Sequence, residues 1–481
     1  MQQTNLTFSE DCLYLNIYTP VLQRVKVTKK LNVIFFIHGG AFTEGDGSDL
    51  YYGPDFLMED NVVLVTINYR LGPFGFANFD RYGYTGNMGF KDQREALKWV
   101  KMNIIYFGGD PDAISLLGES SGAASVHLHL LGASCEYINR AIMLSGSAVH
   151  YWAHYQPNNH LNLLREIFKD DLGEQTSDED VFNFMMNAPM DVIVEKTPPF
   201  ETPNGLFALF WAAVIEDEDK AIKPFLTRRP HDIYATKSLS HHCKCVEVMF
   251  GVTSAEFAIV TDPTNLYGWI EPVKSHALIG LPYHGLTLTP NDEEYQAFQT
   301  EIFDYYFGKE EIEKTTERLN QYLQMGSDIN FIVAFYEAIE LHAEISPTFC
   351  YHFNISLNTN VIKVPRQLNV VEGAIHVDDI GYIFKSEEFS DLYDQTMINR
   401  RFNVRNQQTI NAWQFVSGLF TDFTKYGSLR NVQQIKSTKN VKCVDITNTG
   451  LGVTAIPRKT TMNELWLKIK RRVQPRIVDE F

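Results

Sequence analysis

One hydroxyl, one imidazole and one carboxylate, distant along the chain, stand out for the chemistry their order allows. The hydroxyl is Ser120, at the centre of Gly118-Glu119-Ser120-Ser121-Gly122. The apolar run Ala113-Ile114-Ser115-Leu116-Leu117 before it is short enough for a buried strand, and the small residues after it suit a helix pressed against that strand. A strand, sharp turn and helix of this kind lift a serine side chain clear of the backbone, and glycine at both flanks leaves room for the close approach. On its own the pentapeptide is equally a glycine-rich turn carrying a surface serine. The rest of the chain separates the two readings.

A serine hydroxyl becomes a nucleophile only when a base takes its proton, and a carboxylate that fixes the tautomer of that base makes it effective. Of the fourteen histidines, most have a structural account. His127 and His129 lie on the helix behind Ser120, His241 and His242 precede a strand in a polar patch, and His352 alternates within a strand. His376 differs: it sits in the small-residue loop Gly373-Ala374-Ile375-His376-Val377-Asp378-Asp379, well after an acid, Glu256, that also follows a strand. Asp378 and Asp379 are rival acids, but two or three residues from the imidazole they are poorly placed to reach its far nitrogen. The order Ser120, Glu256, His376 is that of an α/β-hydrolase. With an ordinary imidazole pKa of about 6.5, such a base predicts activity rising through roughly pH 6 to 7.

The elements that must position these groups follow the same logic. Leu13, Leu15 and Ile17 alternate as in a strand that Pro20 ends, and Asn32 to Ile37 and Val62 to Ile67 are apolar runs covered on both faces. The second of these strands runs into His38-Gly39-Gly40-Ala41-Phe42, whose small residues let backbone N–H groups converge on one point, as an oxyanion requires; a tight turn after a strand is the alternative. A helix opens at Gly86-Asn87-Met88-Gly89 with Ala96, Leu97 and Val100 on one face, ending near Asn103. Further strands are expected at Ala141 to Leu144, Cys245 to Phe250 and Phe349 to Ile355, with helices over much of 287 to 345 and from about Asn411 to Tyr426. Alternating strands and helices indicate an α/β protein with a large, mostly parallel sheet. No linker divides it, so residues 1–481 read as one domain, with 461–481 as a C-terminal basic amphipathic tail behind a possible capping box, Thr461 to Glu464. The tail is expected to dock against the body rather than a membrane.

A net charge of -17 argues against a nucleic-acid footprint, which needs a lysine and arginine excess. The longest apolar run, Leu206 to Ile215, is about half of what spans a bilayer, and Met1 leads into polar residues rather than a signal sequence. As written the chain reads as cytoplasmic, with secretion the alternative if the true N-terminus lies elsewhere. Six cysteines are sparse for this length and do not by themselves indicate a disulfide framework. Cys243 and Cys245 share a face if a strand runs through both, and make a poor metal site. Asn5-Leu6-Thr7 and Asn354-Ile355-Ser356 match glycosylation acceptors, the second within a strand-like run.

EDCLYLNIYTP, HGGAF, NYRLGPFGF, GNMGFKDQREALKWVKMNI, FGGDP, GESSG, GVTSAE and GAIHVDD, spread from Ser9 to about Phe384, resemble the type-B carboxylesterase and cholinesterase family, most closely its insect general-esterase branch. The resemblance implies an α/β-hydrolase fold and a serine carboxylesterase with no metal or organic cofactor, acting on a small-molecule ester. It implies Ser120 as nucleophile, His376 as base, Glu256 as its orienting acid, and the N–H groups of Gly40, Ala41 and Ser121 as oxyanion hole. It further matches Ser145 to a serine that hydrogen-bonds the triad acid and Glu119 to an acid beside the nucleophile. Family members carry N-terminal strands before EDCLYLN and a cysteine partner for the one matching Cys12, so Cys12 is expected to be free and one sheet edge open. Phe257 stands where the family has glycine after the acid, a change expected to bear on the placement of Glu256. A slow-turnover ester binder, an inactive truncated protein and an adhesion protein of the same fold are the alternatives.

Overall fold

The computed structural model describes residues 9–21, 29–132, 134–154, 160–173, 176–197, 201–282, 289–401, 403–429, 432–435, 441–456 and 461–473. Nine strands form one sheet: β1 (Leu15–Tyr18), β2 (Leu31–Ile37), β3 (Val63–Ile67), β4 (Gly109–Glu119), β5 (Arg140–Leu144), β6 (Glu247–Thr253), β7 (Thr348–Asn354), β8 (Val441–Thr447) and β9 (Gly450–Ile456). Their order is β1-β3-β2-β4-β5-β6-β7-β8-β9. The strands from β3 to β8 run parallel, while β1 and β9 pair antiparallel at the two ends.

The continuous apolar runs are explained by burial on both faces. Along β2, Val33, Phe35 and Ile37 enter one core while Ile34 and Phe36 enter the other, and all five are fully buried. Helices cover the two faces. On the first lie α1 (Met88–Asn103), which buries Phe90, Leu97 and Val100, and α2 (Ser121–Leu131), every residue of which is buried. Behind them, α3 (Glu293–Phe307), α4 (Thr316–Ser327) and α5 (Val333–Ala343) supply more of that core. The opposite face is covered by α6 (Val404–Tyr426) through Trp413, Val416, Phe420 and Phe423.

Three expectations change. The β8–β9 hairpin was not foreseen: Gly450 and Gly452 weaken the second strand's signal, and its edge position leaves Leu451 and Val453 exposed, so no buried apolar run marks it. The strand expected from Cys245 begins only at Glu247; Cys243–Cys245 is a short 3-10 turn, with Cys243 tied to Cys135 in a disulfide. A second disulfide joins Cys350 on β7 to Cys443 on β8, so four of the six cysteines pair. Cys12 is free, as is Cys245. The C-terminal helix α7 (Thr461–Val473) packs onto α3 through buried Leu465, Trp466 and Ile469, with Lys468 on Glu301, Lys470 on Glu337 and Arg472 on Glu294. No described helix is long and apolar enough to cross a membrane.

Candidate active site

Parallel strands that end together bring their following loops to one edge, and that edge collects the expected residues. Ser120 follows β4 with φ 56° and ψ -122°, a conformation that non-glycine residues seldom adopt. Its backbone N–H donates to Leu144 O (2.8 Å) at the end of β5, so the turn is held from the neighbouring strand. The flanking glycines are obligatory: a Cβ on Gly118 would lie on the Gly122 carbonyl, and one on Gly122 on the Ile37 carbonyl. One strand over, Ser145 follows β5, and beyond β6 comes Glu256. The loop bearing His376 is pinned beside it, with Ala255 N–H donating to Ala374 O (2.8 Å) and Ala255 bridging to Ile375.

The structure thus brings Glu256 and His376 into contact across 120 residues of sequence. His376 Nδ1 lies 2.6 Å from Glu256 Oε2, both side chains being buried. Glu256 Oε1 accepts from Ser145 Oγ (2.6 Å) and from Thr253 N–H (2.6 Å), leaving the other oxygen for the imidazole. His376 Nε2 faces Ser120's neighbour, with Glu119 Oε1 3.3 Å away. The rival acids are occupied elsewhere. Asp378 accepts from the N–H groups of Ile362, Lys363 and Ile375 and from Asn360, which shapes the loop, while Asp379 accepts from the Tyr351 hydroxyl (2.9 Å). The short sequence separation that disfavoured them is the reason they serve the loop instead.

Burial opposes an imidazolium at His376, but Glu119, Glu256 and Asp379 together outweigh it and hold its pKa above the ordinary value. Burial also pushes the Glu119 carboxyl up, with His376 opposing and Asp379 and Glu256 reinforcing. These two facing groups titrate as a pair. The carboxyls thus displace the imidazole upward from the ordinary value expected from the sequence.

Gly40 (φ 103°), Ala41 (φ 54°) and Phe42 (φ 60°) take positive φ in succession, and the N–H groups of Thr43 and Glu44 close the turn onto Gly40 O at 2.9 and 3.0 Å. Among the described residues no intramolecular acceptor takes the N–H of Gly40 or Ala41. Ser121 Oγ accepts from Phe42 N–H (3.3 Å), tying this turn to the start of α2. Phe257 leaves Glu256 in place: its N–H donates to Ser327 Oγ (3.0 Å), and its ring lies over Gly326 with Tyr322 and Phe207 edge-on at 5.8 Å each.

One neighbour escaped the sequence reading. A π-helical turn, Asp328–Ile332, interrupts the helices between α4 and α5 and sets the Phe331 ring 4.8 Å from that of His376. Nothing in the apolar periodicity of 287 to 345 signals a π-turn.

The comparisons with known proteins bear on the family and the fold. The family model described as "Carboxylesterase family" matches residues 1–466. Juvenile hormone esterase of Heliothis virescens is 27% identical over 423 residues, 87% of this chain and 71% of the relative. Esterase E4 of Myzus persicae is 30% identical over 412 residues, 82% of this chain and 71% of the relative. Among solved structures, that of juvenile hormone esterase from Manduca sexta, with OTFP covalently attached, superposes with a TM-score of 0.77 at 21% identity, covering 96% of this chain and 84% of that one, and shares its α/β-hydrolase fold. The chain belongs to the carboxylesterase family and is a carboxylic ester hydrolase.

Proposed function

We propose that the protein hydrolyses carboxylic esters through an acyl-enzyme on Ser120, with His376 as base and Glu256 as the acid that orients it. The observation that carries this reading is the buried 2.6 Å contact between His376 Nδ1 and Glu256, which leaves Nε2 turned toward the turn bearing Ser120. In the first half-reaction His376 takes the Ser120 proton as Oγ attacks the ester carbonyl. The tetrahedral oxyanion rests on the N–H groups of Gly40, Ala41 and Ser121, and His376 returns the proton to the departing alcohol. Water then enters by the same route and releases the acid. Ser145 and Thr253 N–H fix the Glu256 rotamer, and Glu119 tunes the imidazole. The Phe331 ring beside His376 favours an ester whose group near the base is apolar.

Labelling with a fluorophosphonate followed by peptide mapping tests the reading. The adduct is expected on Ser120 within the Gly118 to Gly122 peptide, and Glu256→Gln is expected to slow labelling by about 10⁴-fold through loss of the correct tautomer. Unlabelled Ser120 in folded, ester-hydrolysing protein overturns it.

A further inference from the structure

The Asn354-Ile355-Ser356 acceptor is left unused by the ester chemistry, and its surroundings are specific. Asn354 closes β7 on the same sheet edge as Glu256, is exposed, and has no side-chain hydrogen bond among the described residues. Its Oδ1 lies toward Gly373, where an added Cβ would come within 2.8 Å of it. Next to it opens a cavity of about 190 Å³ lined by Ser254, Asn320, Gln324, Glu372 and Gly373. The lining is largely polar, and Asn320 Oδ1 accepts from Glu372 N–H (3.1 Å), which joins two of its walls. Asn354 itself lies on the cavity's rim, and the cavity has room for one sugar ring.

The two disulfides bear on whether such a sugar is ever attached. Cys135–Cys243 and Cys350–Cys443 form and persist in an oxidising compartment, which is also where asparagine is glycosylated. We infer that Asn354 carries an N-linked glycan whose first sugar sits in the cavity formed by Ser254, Asn320, Gln324 and Glu372. In the transfer, the Asn354 carboxamide nitrogen loses one proton and forms a C–N bond to the anomeric carbon of a lipid-diphosphate-linked oligosaccharide. The anomeric C–O bond to the diphosphate breaks, and the lipid diphosphate leaves. Transfer to the nascent chain precedes folding, so the hydrogen bond between Lys363 Nζ and Ser356 Oγ in the folded protein does not block it.

The full chain, routed through the secretory pathway of a eukaryotic cell and shown to contain both disulfides, is treated with peptide N-glycosidase in ¹⁸O water and mapped. Expected is ¹⁸O-labelled aspartate at position 354, lost in Asn354→Gln and in Ser356→Ala and kept in Ser356→Thr. An unmodified Asn354 peptide from that disulfide-bonded, soluble protein overturns the inference. For the seat, release of the glycan from folded protein is expected to run about three- to tenfold faster in Asn320→Ala and Glu372→Ala, the loss of one hydrogen bond. Equal rates remove the cavity from the proposal.

Discussion

At the scale of single residues, the site is governed by three carboxyls around one imidazole. Glu256 engages Nδ1 directly, Glu119 faces Nε2 at 3.3 Å, and Asp379 acts from its bond to Tyr351. Because a base must be neutral to accept the Ser120 proton, a pKa held above the ordinary imidazole value moves the acid limb of kcat/KM to higher pH. The limb is therefore expected above pH 7, and Glu119→Gln is expected to move it down by about 1 unit or more, as removal of a nearby opposite charge does. A pH–rate profile of the two proteins checks this, and coincident limbs would show that Glu119 does not act on the imidazole. The glycines beside Ser120 were legible as a tight turn, and the structure supplies the reason for them, two backbone carbonyls pressed against the missing Cβ positions. Glu119 was marked only as an acid beside the nucleophile, and its position facing Nε2 was not legible.

At the scale of elements, the site depends on how α4 and the turn after it lean on the Glu256 segment. The Phe257 ring occupies the place where Gly326 has no side chain, so the two residues form one packing unit between α4 and the end of β6. Gly326→Ala places a methyl inside that ring and is expected to cost about 1–3 kcal/mol, the usual range for overpacking. In a Phe257→Ala background the same change is expected to be nearly neutral, and denaturant titrations of the four proteins give the coupling. Additive effects would show that the ring and Gly326 do not share the space. The Phe257 substitution was visible in the sequence, but its compensation was not, because Gly326 is 69 residues further on and only the folded chain makes them neighbours. The strands show the reverse case. Val33 to Ile37 and Val63 to Ile67 could be read directly, since a strand buried on both faces is apolar at nearly every position; the exception, Thr66, donates its hydroxyl to Gly47 O.

At the scale of the whole molecule, the basic C-terminal helix α7 shows why charge is a poor guide to what holds a segment down. Lys468 and Arg472 pair with Glu301 and Glu294 in largely solvent-exposed contacts, whereas Trp466 and Ile469 are 2% and 0% exposed. Exposed ion pairs contribute about 0–1 kcal/mol each, while truncating a buried tryptophan costs about 3–5 kcal/mol. Trp466→Ala is therefore expected to lower the unfolding free energy several times more than Lys468→Ala and Arg472→Ala together, with thermal or urea unfolding as the measurement. Comparable losses would place the docking in the ion pairs.

By itself the amino-acid sequence determined the alternating α/β plan and marked Ser120, Glu256 and His376 as candidates, because buried strands, tight glycine turns and small-residue loops are enforced by local sterics and burial. Tertiary structure alone decided which cysteines pair and that Phe331 and Glu119 stand beside His376. Those outcomes depend on the convergence of segments far apart in the chain, and no local pattern encodes a distance between them.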